Sequence, residues 1–363
     1  MRELLSEVSG SLGDFGTIIP LVLAAGMVSG MNVPIALLAM GAWFIIAALY
    51  YRIPVPVEPM KAIAVAVIAG VAGAGEVMAA GIILGIIFLV LGATSFYAWT
   101  SQLVPQALVR GIQLGLSLLL LISAWNLGKT GLLWFGSSVA VIIGFGIAGR
   151  YWKLPDLSAL LLLGVLGAGT IVMYGFPHPA VPTLPTLTIP GFGSFVAAST
   201  SLVLPQAVLT LTNAILATSL LAQDLYGRSL QPARLSRTIG LMNLSAVPFG
   251  AFPMCHGAGG LAAQARFGAK TWLAGVFAGT VLIGLSLLIP TATSLSPETS
   301  GVFGALLVFT SYSLGKNALK DGFKVVTVVT GIATPLAGIT GALVAGAILY
   351  AVLRRIEAQR KRA

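Results

Sequence analysis

The chain has 363 residues, of which 57% are hydrophobic and 8% charged, with a mean hydropathy of +1.00 and a net charge of +10. No soluble core needs that much apolar surface, so a water-soluble globular domain is excluded and a multi-span membrane protein remains. A single Cys excludes an internal disulfide framework and any Cys-rich metal or redox centre.

The opening "MRELLSEVSGSLGDFG" is too acidic and too interrupted by Gly to read as a cleaved signal. From there, apolar runs bounded by charges, Gly and Pro predict fourteen helical segments. They fall at 11–29, 33–51, 59–73, 77–99, 104–125, 131–149, 157–175, 196–222, 235–250, 254–266, 271–290, 298–315, 321–334 and 336–353. Runs approaching ~20 residues cross roughly 30 Å of hydrocarbon, whereas a β-barrel would show short alternating strands. With the N-terminus inside, eighteen of the twenty Lys and Arg fall in inner loops; Lys129 lies outside and Lys61 within a span. The positive-inside rule then places both termini in the cytoplasm and the chain in the cell (inner) membrane. The basic charge is topological, and nucleic acid is not an expected partner.

The first segment contains "GSLGDFGTIIP", where glycines and Pro20 weaken the helix around Asp14. An acid at membrane depth is costly and a functional candidate by default. Asp14 can carry a proton, help coordinate a cation, or tie helix ends by hydrogen bonds. The third segment opens with "PVPVEPMKAIA": an extended, proline-interrupted stretch, then a short helix, with Glu58 and Lys61 three residues apart and able to pair.

After the seventh segment comes "GFPHPAVPTLPTLTIPGFG", 175–193, with five prolines and no formal charge. It reads as a stiff external connector (176–193), with His178 solvated. It separates a first repeat, 1–175, from a second, 194–353, with a basic cytosolic tail at 354–363. Seven segments per half make the second half enter from the opposite side, the layout of inverted-repeat transporters. "PVPVEPM" at 54–60 and "PFGAFPM" at 248–254 share Pro-x4-Pro-Met, and each stands in the third segment of its half.

In the eighth segment Gln206, Thr210 and Asn213, spaced four and three apart, share one helix face. That polar stripe faces a cavity or bonds a neighbouring helix; Asp224 and Arg228 beyond it are interfacial. The tenth segment, "PMCHGAGGLAAQARFG", brings the only Cys, one of two His and a run of glycines together. Non-helical backbone in a bilayer strands its N–H and C=O groups unless protein or a water-filled cavity receives them. Free N–H groups near Met60, Lys61 and Ala62, and near Cys255, His256, Gly257 and Ala258, would point beyond two helix ends. If both ends meet at mid-membrane, they form an anion site. Glycines such as Gly257 and Gly259 let backbone approach a ligand closely; close helix packing is the other use of such a run. His256 can donate to a substrate, titrate near neutral pH, or be a satisfied core His.

"GSLGDFGTIIPLVL", "PVEPMKAIA", "LTLTNAI" and above all "CHGAGGLAAQARFGA" resemble the molybdate transporter family of plants and prokaryotes, related to the SulP sulfate permeases. The resemblance runs from Ser9 to the C-terminal spans. It implies an all-α polytopic 7+7 inverted-repeat fold with core and gate domains, and substrate between the third and tenth helix starts. By that likeness Asp14 and Thr17 match the first-helix motif, Pro59, Met60 and Lys61 the third, and Cys255, His256, Gly257 and Gly259 the tenth. The chain departs from the pattern at Glu58, where a Gln is expected; a carboxylate there repels an oxyanion unless protonated or paired with Lys61. Many SulP permeases carry a further cytosolic domain, and "RRIEAQRKRA" is too short to be one.

The expected function is secondary active import of a tetrahedral oxyanion, molybdate first and sulfate second, by alternating access. Asp14, Glu58 and His256 are the expected carriers of a coupling proton, with sodium as the other coupling ion. Thr17, Met60, Lys61, Ala62, Gln206, Thr210, Asn213, Cys255, His256, Gly257, Ala258 and Gly259 are the expected substrate contacts. Bicarbonate, carboxylate or nucleobase transport and an anion channel are the alternatives. No HExxH, GxSxG or P-loop occurs, so no enzyme, cofactor or metal is expected. Lipid surrounds the protein, and a homodimer is among the open oligomeric states.

Overall fold

The computed structural model describes residues 2–94, 105–152, 186–266, 268–288, 296–319 and 325–360, with isolated helical positions at 162, 164–165 and 168–169. A short helix, α1 (Arg2–Ser11), precedes the first apolar helix, α2 (Phe15–Ser29). α3 (Val33–Tyr51) starts where Asn32 Oδ1 accepts the Ile35 N–H at 3.1 Å, with Pro34 in the first turn, where a missing donor costs nothing. It ends at Arg52, whose left-handed φ of 60° turns the chain into an irregular stretch leading to β1 (Glu58–Pro59). α4 (Lys61–Ile68), α5 (Ala74–Ala93), α6 (Gln106–Gly128) and α7 (Leu132–Trp152) follow. α8 runs Phe192–Tyr226 and contains two π-helical turns, Ser199–Val203 and Thr210–Ala217. α9 (Pro232–Ala246) passes into a 3₁₀ turn, Val247–Phe249, and Gly250, at φ 93°, turns the chain toward β2 (Met254–Cys255). α10 (Ala258–Arg266), α11 (Trp272–Leu288), α12 (Pro297–Ala318) and α13 (Val325–Arg360, broken at Gly338) complete the chain.

Val33–Tyr51, Ala74–Ala93, and the runs Arg110–Ala148 and Phe192–Tyr226 are long and apolar enough to cross a membrane. Large apolar side chains on their outer faces, among them Ile46, Ile86, Val90, Leu133 and Ile147, are exposed. In water this would be an aggregation surface; in a bilayer it is the lipid face. The chain is a multi-pass membrane protein.

Most predicted segments recur as helices, with physical reasons for the differences. The first begins at Phe15 rather than residue 11, because Leu12–Asp14 break the helix and leave α1 separate. The two short helices start later than predicted, at Lys61 and Ala258, because the residues before them pair as strands. Val247–Phe249, at the end of the predicted 235–250 segment, form a 3₁₀ turn rather than α-helix. The last helix continues to Arg360, so most of the basic tail is helical. Most of the seventh predicted segment and of the 176–193 connector lies outside the described residues; at the connector's end, the Thr188 N–H donates to Pro248 O at 2.8 Å.

Two bundles carry the packing. α6, α7, α12 and α13 pack on one another, while α3 packs on α11, α5 on α9, and α8 touches α4, α5 and α10. Shifting by seven predicted segments exchanges the α3–α11 pair with α9–α5, α2–α4 with α8–α10, and α6–α13 with α12–α7. Every one of these contacts is present, so the two halves repeat one pairing pattern.

With lipid as solvent, helices associate by close packing at small residues rather than by hydrophobic burial. A β-carbon on Gly41 of α3 would stand 2.6 Å from the carbonyl oxygen of Gly279 in α11, and one on Gly279 would strike that of Gly41. Backbone meets backbone there, and neither side can yield. Gly41→Val should therefore lower stability by about 1–3 kcal/mol or more, read as a lower thermal unfolding midpoint in detergent. Gly136→Ala, on an exposed position of α7 with open space around it, should leave the midpoint unchanged or slightly raised.

Candidate functional site

The strands β1 and β2 are antiparallel, with Glu58 opposite Cys255 and Pro59 opposite Met254. The Met60 N–H extends the ladder to Pro253 O at 2.9 Å. The pairing brings the starts of α4 and α10, almost two hundred residues apart in sequence, to the same place. Both starts carry donors that a helix cannot use. The Ala62 N–H goes to Gln206 Oε1 at 2.9 Å, and the Gly260 N–H to Glu58 Oε1 at 2.8 Å. Among the described residues, the N–H groups of Lys61, Ile63, Gly257, Ala258 and Gly259 find no protein acceptor. The α10 start opens at Gly259, which is exposed, and the place of its missing side chain is 3.7 Å from Lys61 Nζ. The aligned peptide dipoles add partial positive charge at both ends. Free amides, two helix starts and one ammonium in one place are suited to an anion.

Two clamps fix this geometry. Asn243 of α9 holds β2 from both sides, its Oδ1 accepting the Met254 N–H at 3.0 Å and its Nδ2 donating to Met254 O at 2.7 Å. His256 joins the halves: Nδ1 donates to Pro56 O at 2.9 Å, and Nε2 lies 2.8 Å from Thr238 Oγ1. A carbonyl can only accept, so the proton sits on Nδ1 and Nε2 receives the Thr238 hydroxyl. Thr238 is in turn 2.7 Å from the Tyr51 hydroxyl, and the Tyr51 ring meets the imidazole edge-on at 5.7 Å. His256 is fully buried with both nitrogens engaged in the protein.

Charge concentrates beside the α10 start. Glu58, fully buried, binds Lys61 Nζ through Oε2 at 2.6 Å while its other oxygen holds the Gly260 amide. The pairing expected between Glu58 and Lys61 is therefore formed. Asp14, at the N-cap of α2, is also buried, and its Oδ2 has no hydrogen-bond partner. A β-carbon on Gly260 would strike both carboxylates, and one on Gly257 would strike Glu58, so both glycines make room for acids. Thr17 is half-buried on α2, one turn after Asp14, and Cys255 and Met60 are buried in and beside the ladder.

The polar stripe of α8 is brought to the site only in part. Gln206 caps α4 and donates from Nε2 to Thr210 Oγ1 at 2.8 Å, so both serve the site's frame. The π-turn beginning at Thr210 changes the register, and Thr218 Oγ1 reaches back five residues to Asn213 O. Asn213 is half-buried and does not join the Gln206–Thr210 pair. Sequence reasoning did not single out Asn243, Thr238, Tyr51 or Gln264. Gln264 lies one helical turn beyond Gly260, fully buried with both amide atoms unpartnered. A lone amide in the apolar run "GLMNLSAV" was the available signal for Asn243; Thr238 and Tyr51 carry none.

Two paired half-helix starts thus present free amides beside a lysine, an arrangement whose charge suits an anion. A family profile described as "Molybdate transporter of MFS superfamily" matches residues 6–120 and 198–314, and the chain belongs to that family. Molybdate transporter 1 of Arabidopsis thaliana is 31% identical over 409 residues, covering 97% of this chain and 89% of that protein. Molybdate transporter 2 of the same plant is 28% identical over 412 residues, covering 97% and 88%. Among solved structures, the transmembrane domain of the cyanobacterial bicarbonate transporter BicA superposes with a TM-score of 0.68 at 17% identity, over 95% of this chain and 98% of that one. SLC26A9 gives 0.69 at 15% identity, over 97% of this chain and 65% of that one. These two structures establish the fold alone.

Asn243→Ala would leave the Met254 N–H and C=O buried without partners, a loss of about 2–4 kcal/mol. The variant should unfold at lower temperature and lose anion binding together with it, since the clamp positions β2. A ligand-binding assay beside a thermal scan checks both.

Proposed function

We propose that this protein is a secondary active importer of a tetrahedral oxyanion, molybdate first and sulfate second, coupled to protons and working by alternating access. The observation that carries the reading is the set of unpartnered amides of Gly257, Ala258 and Gly259 beside Lys61 Nζ. A tetrahedral dianion has oxygens on every side and can accept from both helix starts and the ammonium together. In this reading Met60, Ala62 and Cys255 shape the pocket floor. Thr17 and Thr210 supply hydroxyls nearby, and Asn213 belongs to a wider approach to the site. His256 holds the α10 start in place, both its nitrogens being engaged in the protein.

Charge supports coupling to a cation. Import of a dianion against an inside-negative potential costs about 4.6 kcal/mol per 100 mV. Asp14, Glu58 and Lys61 together sum to one negative charge when all are ionised, in a buried place where an uncompensated charge is expensive. A proton shared by the two carboxylates removes it, and sodium is the alternative cation. The repeats are taken as 1–175 and 194–353, with both termini cytoplasmic. BicA is a bicarbonate transporter, which keeps bicarbonate as the second reading, because the same donors suit it.

Labelled molybdate uptake into proteoliposomes tests the proposal. Uptake should saturate, rise with an imposed inside-alkaline gradient in sodium-free buffer, and fall when sulfate competes. Uptake that ignores the gradient, or that bicarbonate alone suppresses, would refute the coupling or the cargo respectively. Lys61→Met should cut molybdate affinity by roughly tenfold or more, as expected when a charged partner is lost from a desolvated anion site. Unchanged affinity in well-folded Lys61→Met protein would move the site elsewhere.

A further inference from the structure

The α10 start is only partly free for an anion: a carboxylate of the chain itself already takes its Gly260 amide. Glu58 Oε1 accepts the Gly260 N–H at 2.8 Å, and Glu58 Oε2 binds Lys61 Nζ at 2.6 Å. An oxyanion placed at this helix start would ask for the same two donors. The missing side chains of Gly257 and Gly260 leave the space this carboxylate fills, and Asp14 reaches the same space from the start of α2.

We propose that Glu58 is a tethered anion that keeps the α10 seat and Lys61 occupied, and that substrate binds only when Glu58 is neutralised by a proton and displaced. The proposal rests on the oxyanion reading above and names the residue that gates it. Its basis is a charge count over the groups that face Glu58. These are Asp14 from α2, Lys61 from α4, and Cys255 directly opposite on β2, with His256 adjacent and both nitrogens engaged. With both acids ionised, adding a dianion to Lys61 gives three net negative charges in a desolvated pocket. Protonating the Asp14–Glu58 pair once, with Glu58 moved off, lowers that to two and hands Lys61 and the Gly260 amide to the substrate. Like charges a few ångströms apart do not remain ionised together without such relief. The sign follows: affinity should be greatest at low pH and fall as rising pH removes the proton from the pair.

Glu58→Gln separates charge from hydrogen bonding, because its amide oxygen can still accept from Gly260. Binding of molybdate, sulfate and bicarbonate is measured on the full-length parent and on the Glu58→Gln protein at pH 6, 7 and 8. The parent should lose affinity as pH rises, whereas Glu58→Gln should bind roughly tenfold more tightly at pH 8, with a much flatter profile. Molybdate bound equally by both proteins with the same pH slope overturns the tethered anion and leaves the oxyanion reading intact. The expected pattern seen with bicarbonate but not molybdate keeps the tethered anion and overturns the cargo. No binding of any of the three to either protein overturns both. Infrared difference spectra of the unmodified parent cover the case of a poorly folded variant. Adding the bound anion at pH 7 should convert carboxylate absorbance to carboxylic acid absorbance, and no such conversion overturns the proposal.

Discussion

The antiparallel pairing of Glu58–Pro59 with Met254–Cys255 is the contact on which the rest of the centre depends. A bilayer gives irregular backbone no water to bond, so a chain that leaves helical geometry at membrane depth must find partners in itself. Here each interrupted half satisfies the other. Pro59 and Pro253 fit because the ladder uses the carbonyl of Pro253 and asks for no donor there. The pairing fixes where both short helices begin, and so where their spare amides point. Asn243 and His256 then hold the pair against α9 and against the irregular stretch that enters β1. The site is accordingly made of backbone, with side chains as its scaffold.

On this frame the electrostatics are unusual for an anion site, since acids outnumber bases within it. Lys61 and two helix starts supply positive potential, yet Glu58 and Asp14 are buried against them. A buried pair of this kind is a poor device for stability, because desolvation offsets most of the attraction. On the proposed reading it is a poised balance that one proton and one oxyanion tip together. A relative with an amide at the position of Glu58 would lack that internal counterweight and should show a different dependence on pH.

Much of this architecture is legible in the sequence because proline acts locally. Pro-x4-Pro-Met announces two interrupted segments without any knowledge of their neighbours, and apolar run lengths place most of the helices. Glu58 and Lys61, three residues apart, also declare their pairing by spacing alone. What stays hidden are contacts made across the repeat. Gln206 caps α4 from 144 residues away, and the imidazole of His256 reaches Pro56 across 200. Neither has a spacing to read. His256 looks like a substrate or proton ligand in isolation because sequence cannot show that both its nitrogens are already used. Asp14 is the reverse case: its helix does break where glycines suggest, but only the structure brings its carboxylate beside Glu58 at Gly260.

The π-turns of α8 have a consequence for the history of the two halves. Each widened turn accommodates an additional residue while the helix keeps its direction, as a single-residue insertion into an ancestral α-helix would. If each turn is such an insertion, the offset between Pro59 and Pro253 does not hold through α8, and a gapless comparison of α2 with α8 would lose register there. Traces of duplication should survive best around the paired strands, where any insertion would slide one helix start past the other, and fade first in the eighth helix. Gln206 lies in Leu204–Leu209, the stretch of ordinary α geometry between the two widened turns, and Thr210 opens the second of them.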